Sequence, residues 1–298
     1  MIGIAYIYFL QALNSVPENS YWNDFKWASV EIGSEKINKA AILVPVKLGE
    51  YQCNMQLDTA LGVSVIYRPG LPKKFTFGIN KSHIKFNDFY FAGIKYLKEF
   101  SLMYPPLPTS KRGECGAPEL EGTIGSIGSD LLIRGNLTLD LDREKFLYAP
   151  GPYVENTGAV KKVINFSFVD LGDGDIPVIS IYIDSVGLKK FVVDTGSASM
   201  AMNIYDKKVW RKIVGLNNKE NVTPYKITRW GKYINCYSVS SVRGMSADGY
   251  KIPENLKVDY CDDSRGWQGQ GEISGVVGLN FFKDKVVTFD YFSKKIIF

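Results

Sequence analysis

Two stretches of the chain carry the same run of apolar and polar positions. Ala41-Ile42-Leu43-Val44-Pro45-Val46-Lys47-Leu48 reads as a strand, Gly49-Glu50 as a turn, and Tyr51 to Leu57 as a second strand that delivers Asp58. Later, Pro177 to Ile183 is a strand, Asp184-Ser185-Val186-Gly187 a turn, and Leu188 to Val193 the strand that delivers Asp194. Further strand-like stretches follow each acid: Phe75 to Ile79 and Phe91 to Tyr104 in the first half, Tyr225 to Trp230 and Tyr233 to Val242 in the second. Helical periodicity is poor. Short helical turns are expected after Leu131-Leu132 and Phe281-Phe282, and one helix over Asp206 to Val214. The pattern predicts a mainly β chain.

The halves also match residue by residue. Gly125 to Tyr148 aligns without a gap on Gly275 to Phe298, with identity at Gly125/Gly275, Gly128/Gly278, Thr138/Thr288, Asp140/Asp290 and Lys145/Lys295. Nine of the other nineteen positions exchange one apolar residue for another. Such self-similarity implies two related units. The expected boundaries are an N-terminal segment over residues 1–39, a first lobe over 40–150 and a linker over 151–176. A second lobe covers 177–298.

Composition narrows the chemistry. The net charge is +5 with the basic residues scattered, so no concentrated stripe suggests nucleic acid. His83 is the one histidine of the sequence, which excludes multi-histidine zinc sites and leaves a histidine-dependent nucleophile no other base. It is expected in an exposed turn. The four cysteines fall two per half, Cys53 and Cys115, then Cys236 and Cys261, without a C-x-x-C pair. Within-lobe disulfides in an exported chain and four buried thiols both remain open. Ile2 to Leu13 is apolar and too short to span a bilayer. It resembles the core of a secretory signal without the charged residues before it. Secreted or periplasmic location is the expectation, with a cytoplasmic one as the alternative. Asp170-Leu171-Gly172-Asp173-Gly174-Asp175 lacks the ligand spacing of a calcium loop and reads as an acidic turn.

The candidate chemistry lies in Leu57-Asp58-Thr59-Ala60 and Val193-Asp194-Thr195-Gly196-Ser197. Two carboxyls brought face to face resist ionising together and share a proton, so one can act as base and the other as acid. With Gly125-Ser126-Ile127-Gly128 and Gly275-Val276-Val277-Gly278 following at matching places, the chain resembles the aspartic proteases of the pepsin and retropepsin superfamily, over roughly residues 40–298. The resemblance implies a two-lobed, pseudo-twofold β fold and endopeptidase activity without cofactor or metal. It implies an extended peptide or protein substrate in the cleft of a monomer, with no nucleic-acid partner and no integral membrane segment. Asp58 and Asp194 would be catalytic, with Thr59, Ala60, Thr195, Gly196 and Ser197 supporting their loops. Gly128 and Gly278 would pack beneath, and a covering flap would lie near Phe91–Gly93 or Trp230-Gly231.

Ala60 departs from the family's glycine. A negative φ there would tolerate the methyl, whereas a positive φ or tight approach would distort the pair. A peptide-binding relative without turnover is therefore the alternative reading. A glycosidase is disfavoured because its carboxyls stand about 5 Å or more apart.

Overall fold

A computed structural model describes residues 22–32, 35–67, 71, 75, 82–103, 115, 122–153, 161–184, 186–215, 222–229, 232–240, 244–262 and 272–298. Ile2–Leu13 and most of the 76–81 and 105–122 stretches lie outside them. In the first lobe the strands are β1 (Asn23–Asp24), β2 (Lys26–Ile32), β3 (Glu35–Leu48), β4 (Tyr51–Leu57), β5 (Val65–Tyr67), β6 (His83–Phe91), β7 (Ile94–Met103) and β8 (Gly125–Ile127). One helical turn, α1 (Ser129–Leu132), leads to β9 (Gly135–Asp140) and β10 (Lys145–Pro150). The second lobe has β11 (Val163–Asp170), β12 (Asp175–Ile183), β13 (Gly187–Asp194), β14 (Met202–Ile204), the helix α2 (Lys207–Ile213), β15 (Thr223–Arg229) and β16 (Lys232–Ser240). It continues with β17 (Met245–Ala247), β18 (Tyr250–Ile252), β19 (Lys257–Cys261), β20 (Ile273–Gly278), a 3-10 turn (Leu279–Phe282), β21 (Val286–Asp290) and β22 (Lys295–Ile297).

The first lobe is a nearly closed β ring. Its hydrogen-bonded order β3-β4-β8-β5-β7-β6 closes where β6 pairs back onto β3. In the second lobe, the hydrogen-bonded order is β12-β13-β20-β14-β19-β16, and β17 pairs with the outer edge of β12 and with β18. Alternation explains the inward faces: in β6 Ile84, Phe86, Phe89 and Phe91 are buried while Lys85 and Asp88 are exposed. Phe89 and Phe100 then meet edge to face at 5.0 Å in the core.

The lobes share one sheet, β1-β10-β9-β21-β22-β11. At its centre β9 and β21 run antiparallel with Thr138 opposite Thr288, hydroxyls 2.9 Å apart. These two threonines are counterparts in the repeat, so each meets its own equivalent and the pseudo-twofold axis passes between them. The repeated aspartates have a local job. Asp140 accepts from Arg143 N at 3.0 Å, and Asp290 accepts from Phe292 N and Ser293 N at 3.0 and 3.1 Å, each closing the turn that follows. The chain has a mainly β, two-lobed fold whose lobes are related by a pseudo-twofold axis.

The structure moves several boundaries. Residues 26–32 and 35–39, expected to precede the first lobe, form β2 and the start of β3, with β2 pairing along 35–37 and Ala41–Leu43. Residues 163–176 of the expected linker are β11 and the start of β12. Phe91 to Tyr104 is not one strand. Ala92 and Gly93, with φ of 51° and 78°, reverse the chain between β6 and β7. The first helical turn begins at Ser129, before Leu131-Leu132 rather than after it, and the second spans Leu279–Phe282.

Candidate active site

Strand order brings the two acids together. β4 lies parallel to β8, with Leu57 opposite Ile127, and β13 lies parallel to β20, with Asp194 opposite Gly278. Both acid-bearing strands are central, so their ends are fixed by neighbours on both sides. Beyond each acid the chain turns: Leu61 N donates to Asp58 O at 3.2 Å, and Ser197 N to Asp194 O at 3.3 Å.

The threonines lock the two turns reciprocally. Thr59 Oγ1 donates to Val193 O at 2.6 Å and accepts from Thr195 N at 3.1 Å. Thr195 Oγ1 donates to Leu57 O at 2.9 Å and accepts from Thr59 N at 3.0 Å. Both side chains are fully buried, so these bonds have no water to replace them.

Beneath each loop lies a glycine turn. A Cβ on Gly128 would meet Leu61 O at 2.6 Å; one on Gly278 would meet Ser197 O at 2.1 Å and Met200 O at 2.4 Å. Both glycines have extended backbones, φ −96° and −95°, so space and not conformation demands them. A polar strut stiffens the first-lobe side. Asp130 accepts from Ser64 N and Ser64 Oγ at 2.9 and 2.6 Å and pairs with Lys98, while Ser64 Oγ accepts from Gly128 N at 3.0 Å. Ser129 Oγ donates to Thr59 O at 2.8 Å.

The carboxyls of Asp58 and Asp194 face each other closely enough to interact by charge and by hydrogen bond. Burial, and then the negative charge of Asp194, hold the Asp58 carboxyl well above its ordinary range; a hydrogen bond from Ala60 N at 3.2 Å opposes the rise. Asp194 is bound differently: Oδ1 accepts from Gly196 N at 2.8 Å and Ser197 N at 3.2 Å, and Oδ2 from Ser197 Oγ at 2.6 Å. The arrangement can hold one proton on the Asp58 side of the pair while Asp194 remains an acceptor of these hydrogen bonds.

Ala60 fits. Its φ is not among the positive values of the described non-glycine residues, and it packs against an apolar cluster of Ile176, Val178, Val192, Ile273 and Val276 in the other lobe. At the pseudo-symmetric position the same methyl would displace the facing side chains. A Cβ on Gly196 would sit 2.9 Å from Asp58 Cγ, Asp58 Oδ2 and Gln56 Nε2.

The Phe91–Gly93 turn does not reach the carboxyls. Phe91 is opposite Val46, itself opposite Cys53, and Cys53 stands five residues before Asp58, about 16 Å at ~3.3 Å per residue. The Phe91 ring is fully buried, stacked on Phe146 at 5.7 Å. Its counterpart in the second lobe is the Asp248-Gly249 turn, also with two positive φ angles. Trp230 and Gly231 lie outside the described residues; the hairpin that flanks them is β15–β16. His83 opens β6, exposed, with Nδ1 2.8 Å from Ser82 Oγ. Asp170 Oδ1 accepts from Gly172 N and Gly174 N at 2.8 and 3.2 Å, which closes an acidic turn. The cysteines form two within-lobe disulfides, Cys53–Cys115 and Cys236–Cys261. Among the described residues no helix is long and apolar enough to cross a membrane.

Sequence reasoning missed Gln56, Ser64, Ser129 and Asp130. Gln56 alone left a local trace, as an amide inside an otherwise apolar strand run two residues before Asp58.

No family model and no curated protein sequence matches the chain. Among solved structures it is similar to the aspartic proteinase from Irpex lacteus, at 12% identity and a TM-score of 0.45, over 87% of this chain and 93% of that one.

Proposed function

We propose that the chain is an aspartic endopeptidase that hydrolyses peptide bonds with water activated between Asp58 and Asp194. The observation that carries this reading is the pair of facing carboxyls, held by the four reciprocal threonine bonds. Asp194, as carboxylate, takes a proton from water while the water oxygen adds to the scissile carbonyl carbon. Asp58, protonated, gives its proton to the carbonyl oxygen, yielding a neutral tetrahedral diol. Return of a proton to the amide nitrogen lets the C–N bond break and frees the amine and the acid, without a covalent enzyme intermediate.

The substrate lies extended between the lobes and pairs its backbone with strand edges. One chain supplies both acids, so a monomer suffices. The two disulfides support an oxidising compartment and hence export. Because the pair titrates as a unit, activity peaks in acid to mildly acidic solution. The test is cleavage of a denatured protein across a pH series by the parent, Asp58→Asn and Asp194→Asn. Cleavage by the parent and its loss in each variant is expected; cleavage retained by both variants ends the reading.

A further inference from the structure

The walls on either side of the carboxyl pair are chemically unlike. The ladders fix which residues correspond: Gln56 is opposite Ser126 in the parallel β4–β8 pair, and Val192 is opposite Val276 in the parallel β13–β20 pair. With Asp58 matched to Asp194, Gln56 stands where the second lobe has Val192, and Ser126 where it has Val276. Thr123, whose hydroxyl accepts from Gln56 N at 3.1 Å, occupies the place of Ile273. The Tyr67 hydroxyl completes the polar side, 3.1 Å from Ser126 Oγ. On the second-lobe side Val192, Val276 and Ile273 join Ile176 and Val178 in one apolar cluster, overlain by the half-buried Ala60 and Tyr205.

Side chains two apart on a strand share a face, so Gln56 and Asp58 point the same way. Gln56 is half-buried, and its Nε2 lies beside Gly196 next to the Asp58 carboxyl. Among the described residues this carboxamide has no hydrogen-bond partner. Its polar atoms are not sealed from solvent, so beside the reacting groups the carboxamide keeps a donor and an acceptor for what binds there.

We infer that Gln56 is a specificity-determining residue: its carboxamide holds a hydrogen-bonding polar side chain on the first-lobe side of the scissile bond, while the second-lobe wall takes an apolar one. The bond cut therefore joins a polar residue to an apolar residue. This rests on the proteolytic reading above. A site that pairs with a polar group discriminates against analogues lacking it far more strongly than an apolar pocket discriminates by size.

The experiment is cleavage-site profiling with a peptide library by mass spectrometry, for the parent and for Gln56→Val, which copies the pseudo-symmetric residue. A matching melting temperature confirms that the variant folds. The parent should favour Asn, Gln, Ser or Thr on one side of the cut and aliphatic or aromatic residues on the other. Gln56→Val should favour apolar residues on both sides, with the polar preference falling tenfold or more. A parent that cleaves with the same profile as the variant overturns this assignment and leaves the protease reading standing. A parent that cleaves no member of the library overturns the protease reading and this assignment with it.

Discussion

Replacing Thr59 with valine keeps its shape and removes its hydroxyl. Two backbone groups then lose their partner, Val193 O at 2.6 Å and Thr195 N at 3.1 Å. Both bonds lie in the buried interior, so neither group regains water. An unsatisfied buried polar group costs about 1–3 kcal/mol, which places Thr59→Val at about 2–6 kcal/mol. That is a large share of the roughly 5–15 kcal/mol that holds a typical protein folded. Thr59→Ser keeps the hydroxyl and loses one methyl, about 1 kcal/mol. The measurement is urea unfolding followed by tryptophan fluorescence and far-ultraviolet circular dichroism, whose coincidence tests whether the lobes unfold together. The bonds of Thr195 are a separate pair, to Leu57 O and from Thr59 N. Once one threonine is gone and the lobes part, the other loses its geometry, so Thr59→Val/Thr195→Val should cost less than the sum of the single changes. Equal destabilisation by valine and serine at position 59 would refute the reasoning, since it would assign the stability to packing and not to the hydroxyl.

Asp58 binds its proton more tightly in the folded protein than its ordinary value of 3.8 allows, so its contribution is fully stabilising below about pH 4 and is lost as pH rises through the folded value. Asp58→Asn should therefore raise the melting temperature relative to the parent at pH 7 but not at pH 3. Gly196→Ala should leave the fold intact and cut activity sharply, because its methyl falls 2.9 Å from the Asp58 carboxyl, whereas Ala60→Gly should retain turnover; kcat of both variants on an unfolded protein checks this. Reduction should cost about 4.3 kcal/mol at Cys53–Cys115, a separation of 62, and about 3.5 kcal/mol at Cys236–Cys261, a separation of 25. Paired cysteine-to-serine variants compared by urea midpoint would show the order.

Much of the site is legible in the chain because its signals are local or repeated. An apolar strand that ends on Asp-Thr and a later apolar-Gly turn are short patterns, and their recurrence marks both Asp58 and Asp194. The β character follows from period-two burial in strands such as β6. What the tertiary structure decided involves contacts between distant residues, which leave no mark on neighbouring positions. Whether Ala60 could stand in for glycine depended on the apolar cluster facing it from the other lobe, and a methyl at Gly196 would displace the carboxyl and carboxamide facing it. Residues 26–32 look like an entry segment because their pairing with 35–37 and with Ala41–Leu43 shows only in the folded register. The Phe91–Gly93 turn could be assigned to the far end of the lobe only through its register on β3, since a hairpin has the same local pattern wherever it points.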